Sequence, residues 1–276
     1  MSYLQAALLG LIQGLTEFLP VSSSGHLAIF KNIFGVELFE CSLTFDLLLH
    51  IGTLIAVFVV YYKDIWELIK EFFGMVGDIC RGKNAVAGKP YRRFIIMLLI
   101  SMIPTLIIGL LVKDFVESIA GEHLYVVGLC LLVTSVLLYA SDKFKKGKYS
   151  MENAPYPSAL TVGLFQSVAM LPGISRSGST IVGGLLGGFE RDFAVKFSFI
   201  LSIPTILGAS LIDFIDVMKT GVQISVGPAI LGVVISAVSG FMAIRFLLKV
   251  IQNRGFKMFS YYCAAAGILT LILSIF

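Results

Sequence analysis

Charge is scarce in this sequence: Asp, Glu, Lys and Arg together make up 14% of its 276 residues, against 57% that are hydrophobic. Soluble domains carry roughly a quarter charged residues, and no soluble core of this length needs so much apolar surface, so a soluble fold is excluded. Cysteine is equally thin. Cys41, Cys80, Cys130 and Cys263 stand far apart, without a C-x-x-C pair or metal-ligand spacing, which excludes a disulfide framework and a zinc site. The first twenty residues lack the basic stretch that opens a secretory signal and carry Gln13 and Glu17 inside their apolar run, so they read as mature structure. The net charge of +4 comes from basic residues in short loops rather than on one soluble face, and nucleic acid is not an expected partner.

What is there is a series of long apolar runs. Thr44 to Tyr62, Phe94 to Val112, Leu124 to Ala140, Phe197 to Ile212, Val226 to Leu248 and Met258 to Phe276 are each about long enough to cross a ~30 Å hydrocarbon layer as a helix. Two more, Ser2 to Phe18 and Ser158 to Leu171, are too short to cross comfortably and run into stretches rich in Pro, Gly and Ser before an apolar return. Irregular backbone at membrane depth survives only where protein or a wet cavity satisfies it, so both read as re-entrant hairpins. The expected fold is an all-α integral membrane protein of six transmembrane helices and two re-entrant helical hairpins, one membrane domain over residues 1–276.

The loops set the orientation. Lys63 to Arg93 holds Lys63, Lys70, Arg81, Lys83, Lys89, Arg92 and Arg93, and Asp142 to Pro157 holds Lys143, Lys145, Lys146 and Lys148; basic loops stay cytoplasmic. Arg191 and Lys196, with Arg245, Lys249, Arg254 and Lys257, fall on the same side, while the other keeps Lys31, Lys113 and Lys219. Alternation then puts both termini outside and leaves Arg176 in neither set of loops.

Shifting the chain against itself by 153 residues aligns Gly10, Leu11, Gln13, Ser22, Ser24 and Gly25 with Gly163, Leu164, Gln166, Ser175, Ser177 and Gly178. The two halves, about 1–141 and 158–276, each hold one hairpin and three spans. An odd number of spans turns the second half upside down, giving an inverted repeat whose broken helices face each other near the midplane, as in secondary transporters.

The hairpin tips carry the chemistry. Gln13 and Glu17 share a helix face four residues apart, and a carboxylate at membrane depth is costly unless paired, solvated or bound to a cation. Ser22, Ser23, Ser24 and Gly25 offer hydroxyls and backbone N–H groups at the start of a returning helix, a phosphate-holding arrangement, and His26 can act as acid, base or nucleophile. The second tip, Pro172-Gly-Ile-Ser-Arg-Ser-Gly-Ser-Thr180, sets the planar fork of Arg176 among Gly173, Ser175, Ser177, Gly178 and Thr180, suited to phosphate oxygens. Asp46, His50 and the Ile-Pro-Thr triplets at Ile103 and Ile203 read as kinks or supporting positions.

The strings Glu17-Phe-Leu-Pro-Val-Ser-Ser-Ser-Gly-His26 and Pro172 to Thr180 resemble the two signature motifs of the bacterial undecaprenyl pyrophosphate phosphatases, the bacitracin-resistance family, over essentially the whole chain. The resemblance implies hydrolysis of undecaprenyl pyrophosphate to the monophosphate and inorganic phosphate at the outer face of the plasma membrane, which recycles the lipid carrier for cell-wall synthesis and confers bacitracin resistance. It implicates Glu17, Ser23, His26, Ser175 and Arg176, with Thr180 closing the second motif. It also implies a divalent cation, Mg2+ or Ca2+, held mainly by Glu17 with Gln13 beside it, since Gln13 stands where the pattern allows a first Glu. The nucleophile is favoured as Ser23 with His26 as its base; Ser175, His26 itself or a metal-bound water stay open. Expected partners are the lipid pyrophosphate and the bilayer, with a homodimer as an open option. Two other readings stand beside this one. A lipid flippase or transporter fits the inverted repeat. A phosphatidic acid phosphatase-type enzyme shares Ser24-Gly25-His26, but lacks the His that family places after its Ser-Arg.

Overall fold

Ser2 opens the first helix with a reciprocal cap, its hydroxyl accepting from the Gln5 amide at 3.2 Å while Gln5 Oε1 accepts from the Ser2 amide at 2.7 Å. That arrangement satisfies two of the four amides a helix start leaves orphaned. The computed structural model describes residues 1–34, 43–84, 86, 88–120, 124–144, 146–220 and 225–275. Cys41 and Lys145, and the side chains of Lys31, Lys113, Lys219 and Arg254, lie outside what is described. Among the described residues the regular elements are eleven helices: α1 Tyr3–Phe18, α2 Ser23–Phe34, α3 Leu43–Val60, α4 Tyr62–Cys80, α5 Pro90–Ala120, α6 Leu124–Ser141, α7 Tyr156–Val168, α8 Arg176–Leu186, α9 Arg191–Thr220, α10 Val226–Arg254 and α11 Lys257–Leu273.

Four stretches are long and apolar enough to cross a membrane: Pro90–Val112, Leu124–Ser141, Arg191–Leu211 and Val226–Ile251. They match four of the six expected spans. The other two become α3, which reaches that standard only together with α4 across a break, and α11, an apolar helix of 17 residues. At 1.5 Å per residue α3 and α11 are about 25–27 Å long, close to the hydrocarbon thickness. The protein is a multi-pass membrane protein.

The segment from Lys63 to Arg93, expected as a loop, holds a 19-residue helix instead. α4 leaves α3 at 89°. Its inner face buries Ile65, Leu68 and Met75, at helical spacing, while Trp66, Phe73 and Ile79 stay exposed. Lys63 and Lys70 lie over the Tyr62 and Trp66 rings at 5.8 and 5.7 Å, the posture of a helix whose cations reach past aromatic rings at an apolar boundary. Arg92, 3% exposed, ties α4 to α5 by donating to Glu71 at 2.5 Å and Asp78 at 2.6 Å. The basic count of this segment hid the helical period of its apolar residues.

Two short helix pairs interrupt the long helices. α1 packs on α2 and α7 on α8, each pair folding back at its tip. Each first member then lies along a long helix from the other half of the chain, α1 along α10 and α7 along α5. Glycine permits both approaches: a Cβ on Gly10 would stand 2.5 Å from the Gly232 carbonyl oxygen, and one on Gly163 would collide with the Ser101 carbonyl. Gly10 and Gly163 are repeat partners.

A cluster of Phe18, Phe94, Phe189, Phe193, Phe197 and Phe199 fills the main core. Phe18 meets Phe199 edge to face at 5.5 Å, which fixes the end of α1 and the carboxylate one residue earlier. The Ile-Pro-Thr triplets sit inside α5 and α9, where each proline removes one helical hydrogen bond. Gln166 joins them, its Nε2 donating to Thr105 at 3.0 Å and its Oε1 accepting from Thr205 at 3.3 Å. Cys80, Cys130 and Cys263 are free thiols.

Candidate active site

The two tips are built alike. Ser22 caps α2, its Oγ accepting from the Gly25 amide at 3.2 Å and its carbonyl from the His26 amide at 3.2 Å. Ser175 caps α8 in the same way, receiving the Gly178 amide at 3.1 Å on Oγ and the Ser179 amide at 2.9 Å on its carbonyl. A serine hydroxyl so placed satisfies an otherwise orphaned amide. The repeated Ser-x-x-Gly thus has a structural explanation: the Gly25 and Gly178 amides are engaged with caps. Ser22 holds φ 70, a non-glycine residue in the left-handed region, which costs energy that the surrounding tip must supply.

The tips touch. Ser24 Oγ accepts from the Gly173 amide at 3.3 Å, and Ser177 Oγ donates to the Leu19 carbonyl at 3.1 Å. Gly173 takes φ 96, and a Cβ there would meet the Val127 carbonyl oxygen at 2.7 Å, so both its conformation and its crowding call for glycine. Thr134 on α6 steadies the second tip, accepting from the Ser175 amide at 3.2 Å.

One carboxylate joins three of the elements. Glu17 Oε1 takes Arg176 Nη2 at 2.5 Å, and Glu17 Oε2 accepts from Ser23 Oγ at 2.9 Å and from Gln13 Nε2 at 3.0 Å. The side chains of Glu17 and Arg176 are 8% and 16% exposed. Charges at that depth persist because they are paired and hydrogen-bonded. Arg176 Nη1 is buried without a hydrogen-bond partner among the described residues. A guanidinium nitrogen seldom stays so, since an unmatched buried donor carries its full desolvation cost.

His26 faces elsewhere. Its Nδ1 lies 2.7 Å from the Ser22 carbonyl oxygen and its Nε2 2.6 Å from the Tyr262 hydroxyl on α11. Both ring nitrogens are taken, and among the described residues the Ser23 hydroxyl bonds to Glu17 rather than to His26. Ser175, 1% exposed, shares its Oγ between the Gly178 amide and Ser177 Oγ at 3.2 Å. Thr180 points into α9, where its hydroxyl meets Ser198 at 2.6 Å and bonds back to the Arg176 carbonyl at 2.9 Å. Of the expected site residues, Gln13, Glu17, Ser23 and Arg176 therefore form one connected set. Ser22, Ser24, Gly25, Gly173, Ser175, Ser177 and Gly178 build the tips that present it.

The family model described as Bacitracin resistance protein BacA matches residues 6–269. The chain belongs to the BacA family. A BacA-family relative named undecaprenyl-diphosphatase, from Alkaliphilus metalliredigens, is 44% identical over 277 residues, covering 100% of both chains. A second of that name, from Methanosphaera stadtmanae, is 41% identical over 99% of this chain and 98% of its own length. Undecaprenyl-diphosphatase 3 of Bacillus cereus is 39% identical with the same coverage.

Two further contacts complete this BacA-family site, and the sequence pointed to a supporting role only for the first. His50 on α3 stands 3.2 Å from Gln13 Nε2, and Tyr262 pairs with His26. His50 was visible as a polar residue in an apolar run. Tyr262 was not, since nothing in Ser260-Tyr261-Tyr262 distinguishes the tyrosine that reaches the tip from its neighbour.

Proposed function

We propose that this protein is an undecaprenyl pyrophosphate phosphatase whose reacting centre is the Ser23–Glu17–Arg176 cluster at the meeting point of the two hairpin tips. The enzyme hydrolyses undecaprenyl pyrophosphate to undecaprenyl phosphate and inorganic phosphate, which returns the carrier to cell-wall synthesis and underlies bacitracin resistance. The observation that carries the site is Arg176: Nη2 holds Glu17, and Nη1 is buried without a hydrogen-bond partner among the described residues, a donor placed for a phosphate oxygen. The N-termini of α2 and α8, both at the tips, add favourable dipoles for an anion.

Ser23 is the nucleophile in this reading. Its Oγ attacks the terminal phosphorus, its proton passes to Glu17 Oε2, and the bond from that phosphorus to the bridging oxygen breaks, releasing undecaprenyl phosphate. Water then attacks the phosphoserine, and Glu17 mediates the proton transfers that return the Ser23 hydroxyl and release inorganic phosphate. The 2.9 Å Ser23–Glu17 bond favours Glu17 over His26 as the base, and Ser175 is committed to its cap. Phosphoryl transfer asks chiefly for alignment and charge neutralisation, which Arg176 supplies.

The donor set bears on the cation. Glu17 has both oxygens engaged, and among the described residues no three of His, Cys, Asp and Glu gather as a cage. Glu17 would be the anionic protein ligand of a Mg2+ or Ca2+, with Gln13 beside it, and these residues fit a cation held jointly with the substrate better than one held by protein alone. When bound, such a cation neutralises phosphate charge.

The fold reading is an inverted repeat of six spans and two re-entrant hairpins, in halves of about 1–141 and 158–276. The reciprocal packing of α1 on α10 and α7 on α5 supports it. The four basic segments assigned to the cytoplasm also gather at one end: Arg93 donates to the Ala154 carbonyl at 2.9 Å, Lys196 to Asp64 at 3.0 Å and Arg191 to Asp142 at 3.1 Å, while the Phe256 amide donates to Asp142 at 2.8 Å. With that end in the cytoplasm of the plasma membrane, both termini and the opening of the first hairpin face outward. The exposed apolar sides, Trp66, Leu110 and Met242 among them, offer a second copy a packing face, and light scattering in detergent separates monomer from homodimer.

Phosphate release by purified protein given undecaprenyl pyrophosphate, with and without chelator, tests the activity. The expected result is release that stops on chelation and leaves the lipid monophosphate. Absence of release under every cation tried would reject the reading.

A further inference from the structure

Gln13 is 2% exposed and spends one amide nitrogen on two acceptors: Glu17 Oε2 at 3.0 Å and His50 Nε2 at 3.2 Å. An amide nitrogen carries two hydrogens, so both bonds form at once. The other side of His50 fixes its chemistry. His50 Nδ1 lies 2.9 Å from the Asp46 carbonyl oxygen, which can only accept, so Nδ1 carries the proton. In the neutral ring Nε2 is then an acceptor aimed at Gln13.

The orientation of the amide matters to Glu17. Were Gln13 turned over, its oxygen would set lone pairs against the Glu17 carboxylate, and the carboxylate would lose one of the two donors that aim Oε2 at Ser23. His50 and Glu17 both require the nitrogen on the same side. We infer that His50 is a positioning residue of the phosphatase centre, acting through Gln13 to hold the Glu17 carboxylate in line with Ser23. This rests on the reading of Ser23 and Glu17 as the reacting pair. His50 Nδ1 donates to the Asp46 carbonyl, Gln13 Nε2 donates both to His50 and to Glu17, and Ser23 donates to Glu17, so an unbroken series of hydrogen bonds links Asp46 to Ser23.

The other half of the repeat shows that the relation is not a general requirement of the fold. Gln166, the partner of Gln13, is held by the hydroxyls of Thr105 and Thr205, with neither an imidazole nor a carboxylate among its hydrogen-bond partners in the described residues. The imidazole stands only where the glutamine touches a carboxylate that touches a serine.

The test compares His50→Leu, which removes the acceptor at similar volume, with His50→Gln, which restores one at similar reach, both as full-length protein in detergent with undecaprenyl pyrophosphate. The expected outcome is a kcat about tenfold lower for His50→Leu with KM within about twofold, and recovery to within about threefold of wild type in His50→Gln, the scale of one misplaced hydrogen bond. In a Gln13→Ala background His50→Leu should change kcat by less than about twofold, because its route to Glu17 is gone. A purely structural His50 would instead show additive losses in the double variant and equal losses for Leu and Gln, and either result overturns the inference. Normal kcat in His50→Leu beside an inactive Arg176→Ala rejects the role of His50 alone. A wild-type protein that releases no phosphate rejects the phosphatase reading itself.

Discussion

Arg176 Nη2 lies 2.5 Å from Glu17 Oε1 across 159 residues of sequence, so one ion pair joins the two hairpin tips. Removing the guanidinium strands a buried carboxylate and takes away the donor proposed for the terminal phosphate. Arg176→Ala should lower turnover by about a hundredfold or more and also lower the melting temperature, since breaking a buried pair costs about 3–5 kcal/mol. Arg176→Lys keeps the charge without the fork and should fall between. Phosphate release and thermal unfolding on the same preparations check both effects; near wild-type turnover in a folded Arg176→Ala protein would remove Arg176 from the site.

Ser23 and Glu17 belong to one motif but have separable duties. Ser23→Ala deletes the proposed attacking oxygen and should abolish the chemical step while leaving lipid pyrophosphate binding nearly intact, because one hydroxyl contributes little to holding so highly charged a headgroup. Glu17→Gln removes the partner of Arg176 together with the proposed proton acceptor and the proposed anionic ligand for a cation. Its turnover should collapse and its residual activity should need more divalent cation, an amide being a poorer ligand than a carboxylate. Single-turnover rates and cation titrations separate the two. Substantial turnover by Ser23→Ala would pass the attack to water or another side chain.

Much of this site was legible in the sequence because its costs are visible there. An isolated Glu and an isolated Arg inside apolar segments must find partners, and Glu17 and Arg176 find each other. The serines were harder to sort. Ser22, Ser23, Ser24 and Ser175 look alike in a string, and only the backbone path reveals that Ser22 and Ser175 cap helices while Ser23 faces the carboxylate. His26 read as the base of Ser23 from its nearness in sequence, but one helical turn carries its ring toward α11. α4 was hidden by its charges, which suggested a loop although the apolar spacing of Ile65, Leu68 and Met75 is helical.

The glycines that admit α1 and α7 to their neighbours predict a stability effect remote from the chemistry. Gly163→Leu drives a side chain into the Ser101 carbonyl, and Gly10→Leu drives one toward Gly232. Each should destabilise the protein by at least about 1–3 kcal/mol, the usual scale of overpacking, and the ends of both short helices should shift with loss of turnover. Thermal unfolding in detergent measures the first effect and phosphate release the second. An unchanged melting temperature for both variants would mean that the helices do not approach as closely as described.

The gathering of basic segments at one end makes orientation testable without reference to activity. Asn84 follows α4, within the most basic segment, and Ser225 immediately precedes α10, at the opposite end of that helix from Arg245 and Lys249. Positive loops are retained in the cytoplasm, so the two positions should lie on opposite faces. In a background freed of Cys41, Cys80, Cys130 and Cys263, Ser225→Cys should react with an impermeant thiol reagent added to intact cells, and Asn84→Cys only after the membrane is opened. A third cysteine at Ser150, in the connection before α7, should behave as Asn84 does, because Tyr149 and Phe189 meet at that end. This third position decides between topologies. If the halves were related without inversion, the connection before the second hairpin would lie on the face from which the first hairpin enters, and Ser150→Cys would label from outside while Ser225→Cys, one span further on, would not.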